Sequence, residues 1–572
     1  MTTGARYALG MDYGTASCRA VMVRLDDGVE IAESTFDYPS GDGGVITSRD
    51  DSLVARQHPG DYLQGLESIT RGVTAAARDA DPAFDPARIV GIGVATTGST
   101  PMPVDAAGRP LALDPEFADD LDAMAWLWKD HTAHEEAEAI TRAARATRPD
   151  YVAACGDVYS AEWFWAKAWH CSRVAPRVFE AAASWVELCD FLPAVLIGET
   201  DPERMPRSVC AAGHKAMFDQ RWGGLPDADF LAELDPALAA LRSRLFDSAL
   251  EAGARAGGLG AEWAQRTELR PGTPIAIGGF DAHAAALGAG VAEGVFVSVM
   301  GTSTCDVTVQ PVERAAESLP GVCGVVAGSV VPGFVGIEAG QSGVGDMFRW
   351  FVDGFVPEAS GATRADRYAA LSGAAAELAP GEHGLVALDW AGGNRSILVD
   401  HTLSGLVVGL NLQTQPHHVF QALIESTAFG ARRIIEHLEE HGVPLHEIVA
   451  SGGLPGRNPG LMQTYANVLG RRIRVSASEQ TSALGAAMLG ALAAGAEGGG
   501  FATPDEAQDA LVRFREADYV PDEAAREVYD RLYDLYRRMH DAFGDPGETE
   551  GVGPVMRELF ALRTAATHVV AS

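Results

Sequence analysis

Two stretches of this chain follow one plan, and the repetition constrains the fold more than any other feature. "GMDYGTASCRAVMV", from Gly10, runs apolar, turns through Asp-Tyr-Gly-Thr-Ala-Ser and runs apolar again. "VMGTSTCDVTV", from Val299, does the same around Gly-Thr-Ser. Either stretch alone reads as a β-hairpin, since branched apolar residues suit strands and Gly with small polar residues suits tight turns. Two copies so far apart predict two domains built on one plan, with their turns facing each other.

The length agrees. At 572 residues the chain exceeds what one core holds, because single cores stop growing near about 250–300 residues. Strand-like runs, "RIVGIGVA", "PIAIGG", "VFVSVMG" and "EIVASGG", each precede a Gly-containing turn and alternate with helical stretches such as "VFQALIESTAFGARRIIEHLEEHG". That alternation predicts an α/β fold. We expect an N-terminal domain over 1–272, a second over 273–497, and a helical tail over 498–572 packed on them. "LAAGAEGGGFATPDEA" reads as a linker into that tail. In "REVYDRLYDLYRRMHDAFG", Val528, Leu532, Leu535 and Met539 recur at helical spacing, so they are expected on one core-facing stripe.

Charge narrows the partners. Asp and Glu number 78 against 44 Lys and Arg, a net charge of −34, which repels nucleic acid and anionic membrane surfaces. An anionic substrate then needs local help from a Lys or from backbone N–H groups. The seven cysteines have no CxxC spacing, which argues against a disulfide framework and a zinc site and fits a reducing compartment. With no apolar run of membrane-spanning length and no cleavable leader pattern, a cytoplasmic protein is expected.

A Gly-Thr-Ser turn presents hydroxyls and closely spaced N–H groups able to wrap phosphate oxygens, and two facing turns can clamp a triphosphate. Asp12 then has a use as a ligand, through water, for Mg²⁺ beside the β- and γ-phosphates. There is no G-x-x-x-x-G-K-[ST], and "GIGVATTG" has the wrong glycine spacing for a dinucleotide loop. Asp281, in "PIAIGGFDAHAAALGAG", is either a helix N-cap or a carboxylate that accepts a proton from an attacking hydroxyl. His283, His131 and His134 lack matching ligands at metal spacing and read as core or surface histidines. Ser451-Gly452-Gly453 followed by Asn458-Pro459 is either a tight strand-to-helix connection or a place where adenine approaches the backbone.

Together, "TTGSTPMPVD", "LWKDHTAHEEAEAIT", "YSAEWFWAKAWH", "CAAGHKAMF", "GTSTCD", "VVPGFVGIEAGQSGVGD" and "SALGAAML" resemble the FGGY carbohydrate kinase family, within it the branch acting on L-ribulose. The resemblance runs from the N-terminus to about Leu489. It implies a two-domain actin/hexokinase-like (ribonuclease H-like) fold with ATP and sugar in the cleft, and ATP-dependent phosphorylation of the C5 hydroxyl of L-ribulose in L-arabinose catabolism. By position it implies Asp281 as catalytic base, Asp12, Gly14 and Thr15 as the first phosphate loop, and Gly301, Thr302 and Ser303 as the second. Gly452, Gly453 and Asn458 match the adenosine region. Trp128, Lys215, Glu338 and the backbone near Gly98 match the sugar contacts, with Lys129 left on the surface. ATP and Mg²⁺ are the implied cofactors and a small sugar the implied partner; a homodimer stays open.

One position departs from the pattern. "VATTGST" has Ala95 where the family pattern carries an acid, which bears on the choice of sugar. The competing readings are a kinase for D-ribulose, D-xylulose or ribitol, and an actin-like ATPase whose output is conformational. The ATPase would need neither a sugar wall nor a base at Asp281.

Overall fold

The computed structural model describes residues 4–316, 318–544 and 552–570. Its two large sheets carry the repeated plan. In the first, the antiparallel strands Val29–Asp37, Ser17–Arg24 and Tyr7–Tyr13 continue into Ile89–Thr96, parallel to Tyr7–Tyr13. Pro274–Ala276 and Arg255–Gly258 complete that side, and the short Gly279–Phe280 lies beside the end of Ile89–Thr96. In the second sheet, the antiparallel run Gly324–Ala327, Phe334–Ala339, Thr304–Pro311 and Val295–Met300 is followed by parallel Glu447–Ser451 and Ile473–Val475. The echo at Gly10 and Val299 therefore marks the same hairpin in each sheet, with its parallel neighbour on the same side.

Near-continuous apolar strands such as Tyr7–Tyr13, buried throughout, need cover on both faces. One face is covered by the helix Thr481–Ala494, whose small residues bring its backbone onto the strands. A Cβ at Gly10, Gly91 or Gly93 would fall within 2 Å of the carbonyl oxygens of Ala483, Gly490 and Ala486 respectively. The same helix meets the helix Asp281–Gly288, where a Cβ at Gly485 would lie 1.8 Å from Ala284 O. Two small-residue helices thus sit between the sheets and set how closely the halves approach.

Inserted in the first half is a tryptophan-rich cluster that buries Trp126, Trp163, Trp165, Trp169 and Trp185. The segments with Trp128 and Lys215 border it. In the second half the helix Pro416–Glu440 buries Phe420, Leu423, Ile424, Phe429 and Ile434 in one core with Phe296 and Ile448.

The tail differs from expectation in two ways. The stretch read as a linker is a compact turn: the helix Thr481–Ala494 ends at Gly495, Phe501 is buried, and Pro504–Leu511 is again helical. In the helix Glu523–Gly544 the buried face is Ala525, Tyr529, Tyr533, Tyr536 and His540, while Leu535 is 45% exposed. Of the expected aliphatic stripe, Leu532 and Met539 pack partly buried at the edge of this face, and the tyrosines take its centre because each hydroxyl has a carboxylate to reach: Tyr529 donates to Glu425 at 3.2 Å, Tyr533 to Glu436 at 2.7 Å and Tyr536 to Asp389 at 2.8 Å. Burying a ring whose hydroxyl is satisfied removes more apolar area than burying leucine.

Candidate active site

Both hairpin turns close by the same device. Gly14 N–H donates to Ser17 O at 3.0 Å, and Gly301 N–H donates to Ser303 O at 2.9 Å. Space is open above each glycine: a Cβ at Gly301 would meet nothing nearer than Ser303 O at 3.9 Å, and one at Gly14 only Ser17 O at 3.3 Å. Thr15 is tied down twice, its carbonyl accepting from Gln57 Nε2 at 2.7 Å and its hydroxyl from Trp128 Nε1 at 3.0 Å. The indole expected on the sugar side is therefore anchored on the Gly14–Thr15 turn. Lys129 beside it is exposed.

The second loop is cradled by the start of the helix Gly345–Phe355. Val344 and Asp346 N–H donate to Thr302 O at 2.9 and 3.0 Å, and Gly345 N–H donates to Gly301 O at 3.1 Å. Gly452 packs against the strand end below it, where a Cβ would lie 2.5 Å from Met300 O and φ is +92°, so glycine is required. Gly453 faces open space. Asn458 precedes the helix Pro459–Leu469 without capping it through its side chain. The helix-boundary reading of this stretch holds, and its small, open surface lies against the second loop.

Asp281 is the first residue of its helix, with Phe280 as N-cap, and its Oδ1 accepts from Ala282 N–H at 2.7 Å. Burial, added to the charge of Asp12, pushes its carboxyl up to about 7. Asp12, also buried and offset by Arg19 at 3.8 Å, is pushed up to about 6. A carboxylate on a strand of the first sheet and one at the head of the helix Asp281–Gly288 thus share one poorly solvated space. Gly98 lies flat on the ring of Phe280, where a Cβ would approach to 2.1 Å.

The sugar-side residues meet as a buried charge cluster. Lys215 Nζ lies 3.3 Å from Glu338 Oε1, His283 Nε2 is 3.0 Å from Oε2, and Arg395 reaches Oε1 at 3.5 Å. Burial alone would raise the Glu338 carboxyl, but Lys215 and His283 hold it well below the usual range. Burial likewise opposes charge on Lys215, yet Glu338 holds it above its ordinary value. His283 is pushed up to about 10 against burial by Cys210 and Glu338 beside it. His214, His283 and Glu338 lie within metal-ligating distance of one another. Lys215 and Arg395 already neutralise the carboxylate, however, so a dication there would face two resident cations.

Comparison with known proteins decides the family. Residues 7–288 match the N-terminal domain, and residues 296–494 the C-terminal domain, of the FGGY family of carbohydrate kinases. The chain belongs to this family. A protein from Shouchella clausii named ribulokinase is 41% identical over 98% of each chain, and one of that name from Geobacillus thermodenitrificans is 39% identical over 97% of each. Among solved structures, a xylulose kinase from Rhodospirillum rubrum superposes with a TM-score of 0.76 at 25% identity, covering 94% of this chain and 99% of that one. The two-domain sugar-kinase architecture is the one expected from the sequence.

As an FGGY kinase the chain uses ATP, and ATP chemistry implies a divalent cation. The residues present suit one: Asp12 Oδ1 is buried with no hydrogen-bond partner among the described residues, leaving a carboxylate oxygen beside the first loop. Ala95 pairs with Asp12 in register and is fully buried against Ala284 and Ala486. Its neighbours there are small and apolar.

Sequence reasoning missed three supporting side chains of this kinase. Lys167 is fully buried and donates to Ser99 O at 2.9 Å, Trp126 O at 3.2 Å and Leu127 O at 2.9 Å, joining the Gly98 loop to the segment that carries Trp128. Burial lowers its ammonium to about 8. Glu187 accepts from Ser99 Oγ and from Thr100 N–H on the far side of that loop. Arg395 enters from a loop of the second half, and nothing in "AGGNRSI" announces it.

Proposed function

We propose that the protein is an ATP-dependent kinase that phosphorylates the C5 hydroxyl of L-ribulose, giving L-ribulose 5-phosphate in L-arabinose use. The observation that carries this reading is the full-length likeness to proteins named ribulokinase, at 37–41% identity for several of them. The site is consistent with it. Phosphoryl transfer is mostly positioning and charge neutralisation, and this chain offers two N–H-lined turns, a carboxylate pair of which Asp12 is buried and Asp281 half-buried, and a fixed cationic cluster.

In this reading Asp281 takes the proton of the C5 hydroxyl as its oxygen bonds to the γ-phosphorus, and the bond from that phosphorus to the β-phosphate oxygen breaks, releasing ADP. A carboxyl raised to about 7 is matched to that task near neutral pH. Gly14 and Thr15 bear on the phosphates from one side, Gly301, Thr302 and Ser303 from the other, while Gly452, Gly453 and Asn458 border the adenosine. Lys215 and Glu338 fix hydroxyl and carbonyl positions, Trp128 supplies an apolar wall, and the backbone at Gly98 closes the remaining side. Asp12 would hold Mg²⁺, whose charge offsets that of the β- and γ-phosphates. The seven free cysteines, six of them buried, suit action in the reducing cytoplasm.

The test is ADP release with MgATP across L-ribulose, D-ribulose, D-xylulose, ribitol, glycerol and no sugar. Selective stimulation by L-ribulose is expected. Stronger stimulation by D-xylulose would move the substrate while keeping the chemistry, and sugar-independent turnover would overturn the kinase reading.

A further inference from the structure

We infer that Tyr536, in the helix Glu523–Gly544 beyond both matched family domains, is a positioning residue for the phosphate loop Gly301–Ser303. The inference rests on the reading of that loop as a phosphate site. The connection is a continuous, buried hydrogen-bonded chain. Tyr536 Oη donates to Asp389 Oδ1 at 2.8 Å, and the other oxygen, Oδ2, accepts from Gln341 Nε2 at 2.6 Å. Gln341 Nε2 is also fixed on Thr427 O at 3.0 Å. Its backbone then pairs with the residue that follows the loop: Gln341 N–H donates to Thr304 Oγ1 at 2.9 Å, and Thr304 N–H donates to Gln341 O at 3.0 Å. Tyr536, Asp389, Gln341 and Thr304 are each at least 95% buried.

The fold makes room for this chain. A Cβ at Gly430, in the helix Pro416–Glu440, would fall 2.4 Å from both Asp389 Oδ2 and Gln341 Nε2, so only glycine lets the helix pass beside their bond. Gln341 also begins the turn that delivers Val344, Gly345 and Asp346 to the carbonyls of Thr302 and Gly301. Loss of the Tyr536 hydroxyl leaves Asp389 Oδ1 unpaired and lets the carboxylate turn, which loosens the bond by which Oδ2 holds Gln341 beside Thr304. Tyr529 and Tyr533 on the same helix end on Glu425 and Glu436 instead, with no bond toward the loop, which makes Tyr533 a matched control.

The experiment measures ADP affinity by calorimetry, and KM for ATP and for the sugar, on full-length wild type, Tyr536→Phe, Tyr533→Phe and Gly301→Ala. Tyr536→Phe is expected to weaken ADP binding and raise KM for ATP by about three- to tenfold, the worth of one buried hydrogen bond, with KM for sugar within about twofold of wild type. Tyr533→Phe is expected to leave ADP affinity unchanged. Gly301→Ala, which meets no clash in the free protein, is expected to weaken ADP binding directly. Unchanged ADP affinity in Tyr536→Phe, or an equal loss in Tyr533→Phe, overturns the inference while Gly301→Ala still reports on the loop. Unchanged affinity in Gly301→Ala overturns the phosphate-loop reading and the inference with it. Should Tyr536→Phe fail to fold, Asp389→Asn, which replaces the charged acceptor of both bonds by a neutral amide, is expected to give a smaller loss with the same selectivity for ADP and ATP over sugar.

Discussion

Asp281→Asn should give a protein that has lost its chemistry and gained stability above neutral pH. The Asp281 carboxyl stands at about 7 in the fold against an ordinary value of 3.8, so between those limits the folded chain holds a proton that the unfolded chain has released. Stability then falls as pH rises from about 4 to about 7 and stays reduced above it. Each tenfold change in proton affinity is worth about 1.4 kcal/mol, so the full difference is about 4 kcal/mol, and screening of the half-buried carboxyl reduces this to about 2 kcal/mol. Asparagine removes the charge, keeps an oxygen to accept the Ala282 N–H bond and relieves Asp12. In ligand-free denaturant unfolding, the variant should match wild type near pH 4 and exceed it by about 2 kcal/mol at pH 8. Turnover should fall by about a hundred- to ten-thousand-fold with ATP affinity retained. Near-normal turnover would refute the base assignment; equal or lower stability at pH 8 would refute the shared-burial argument.

Wild-type kcat/KM for the sugar should climb with pH and level off above about 7, where Asp281 is ionised; a flat profile between pH 6 and 8 in a series of buffers would contradict this. Ala95→Asp buries a third carboxyl against Ala284 and Ala486 beside Asp12 and should cost about 3–5 kcal/mol in denaturant midpoint experiments, with no change of preferred sugar. Lys167→Met strands three carbonyls on the segments carrying Gly98 and Trp128. It should raise KM for sugar well above any change in KM for ATP, as steady-state kinetics with each substrate varied will tell. Chelation should abolish turnover and added Mg²⁺ should restore it, whereas His214→Gln should leave that metal requirement unchanged, since Asp12 and not the histidine cluster is the proposed ligand.

What the sequence made visible was local. Asp12, Gly14 and Thr15 lie within one turn, as do Gly301, Thr302 and Ser303, and a strand that breaks at Gly-Thr and resumes can be read without knowing what faces it. Asp281 was legible for the same reason, two glycines after a strand and at the head of a helix. The residues that hold those turns in place were not, because each acts across a distance that only the sheets close. Lys167 reaches back 68 residues to Ser99, Arg395 lies 57 residues from Glu338, and Tyr536 is 147 residues from Asp389. The tail helix shows the physical reason. Its aliphatic spacing and its tyrosine spacing are both helical, and periodicity cannot choose between them. The choice is made by Glu425, Glu436 and Asp389, carboxylates on other elements that turn a tyrosine from a costly buried hydroxyl into a satisfied one. The same logic covers the glycines of "GIGVA": their spacing excludes a dinucleotide loop but gives no reason for them, and Gly91 and Gly93 are small because the backbone of the helix Thr481–Ala494 lies on them. A residue whose identity is set by a partner far along the chain carries no local mark, and in this kinase such residues are the ones that support the legible turns.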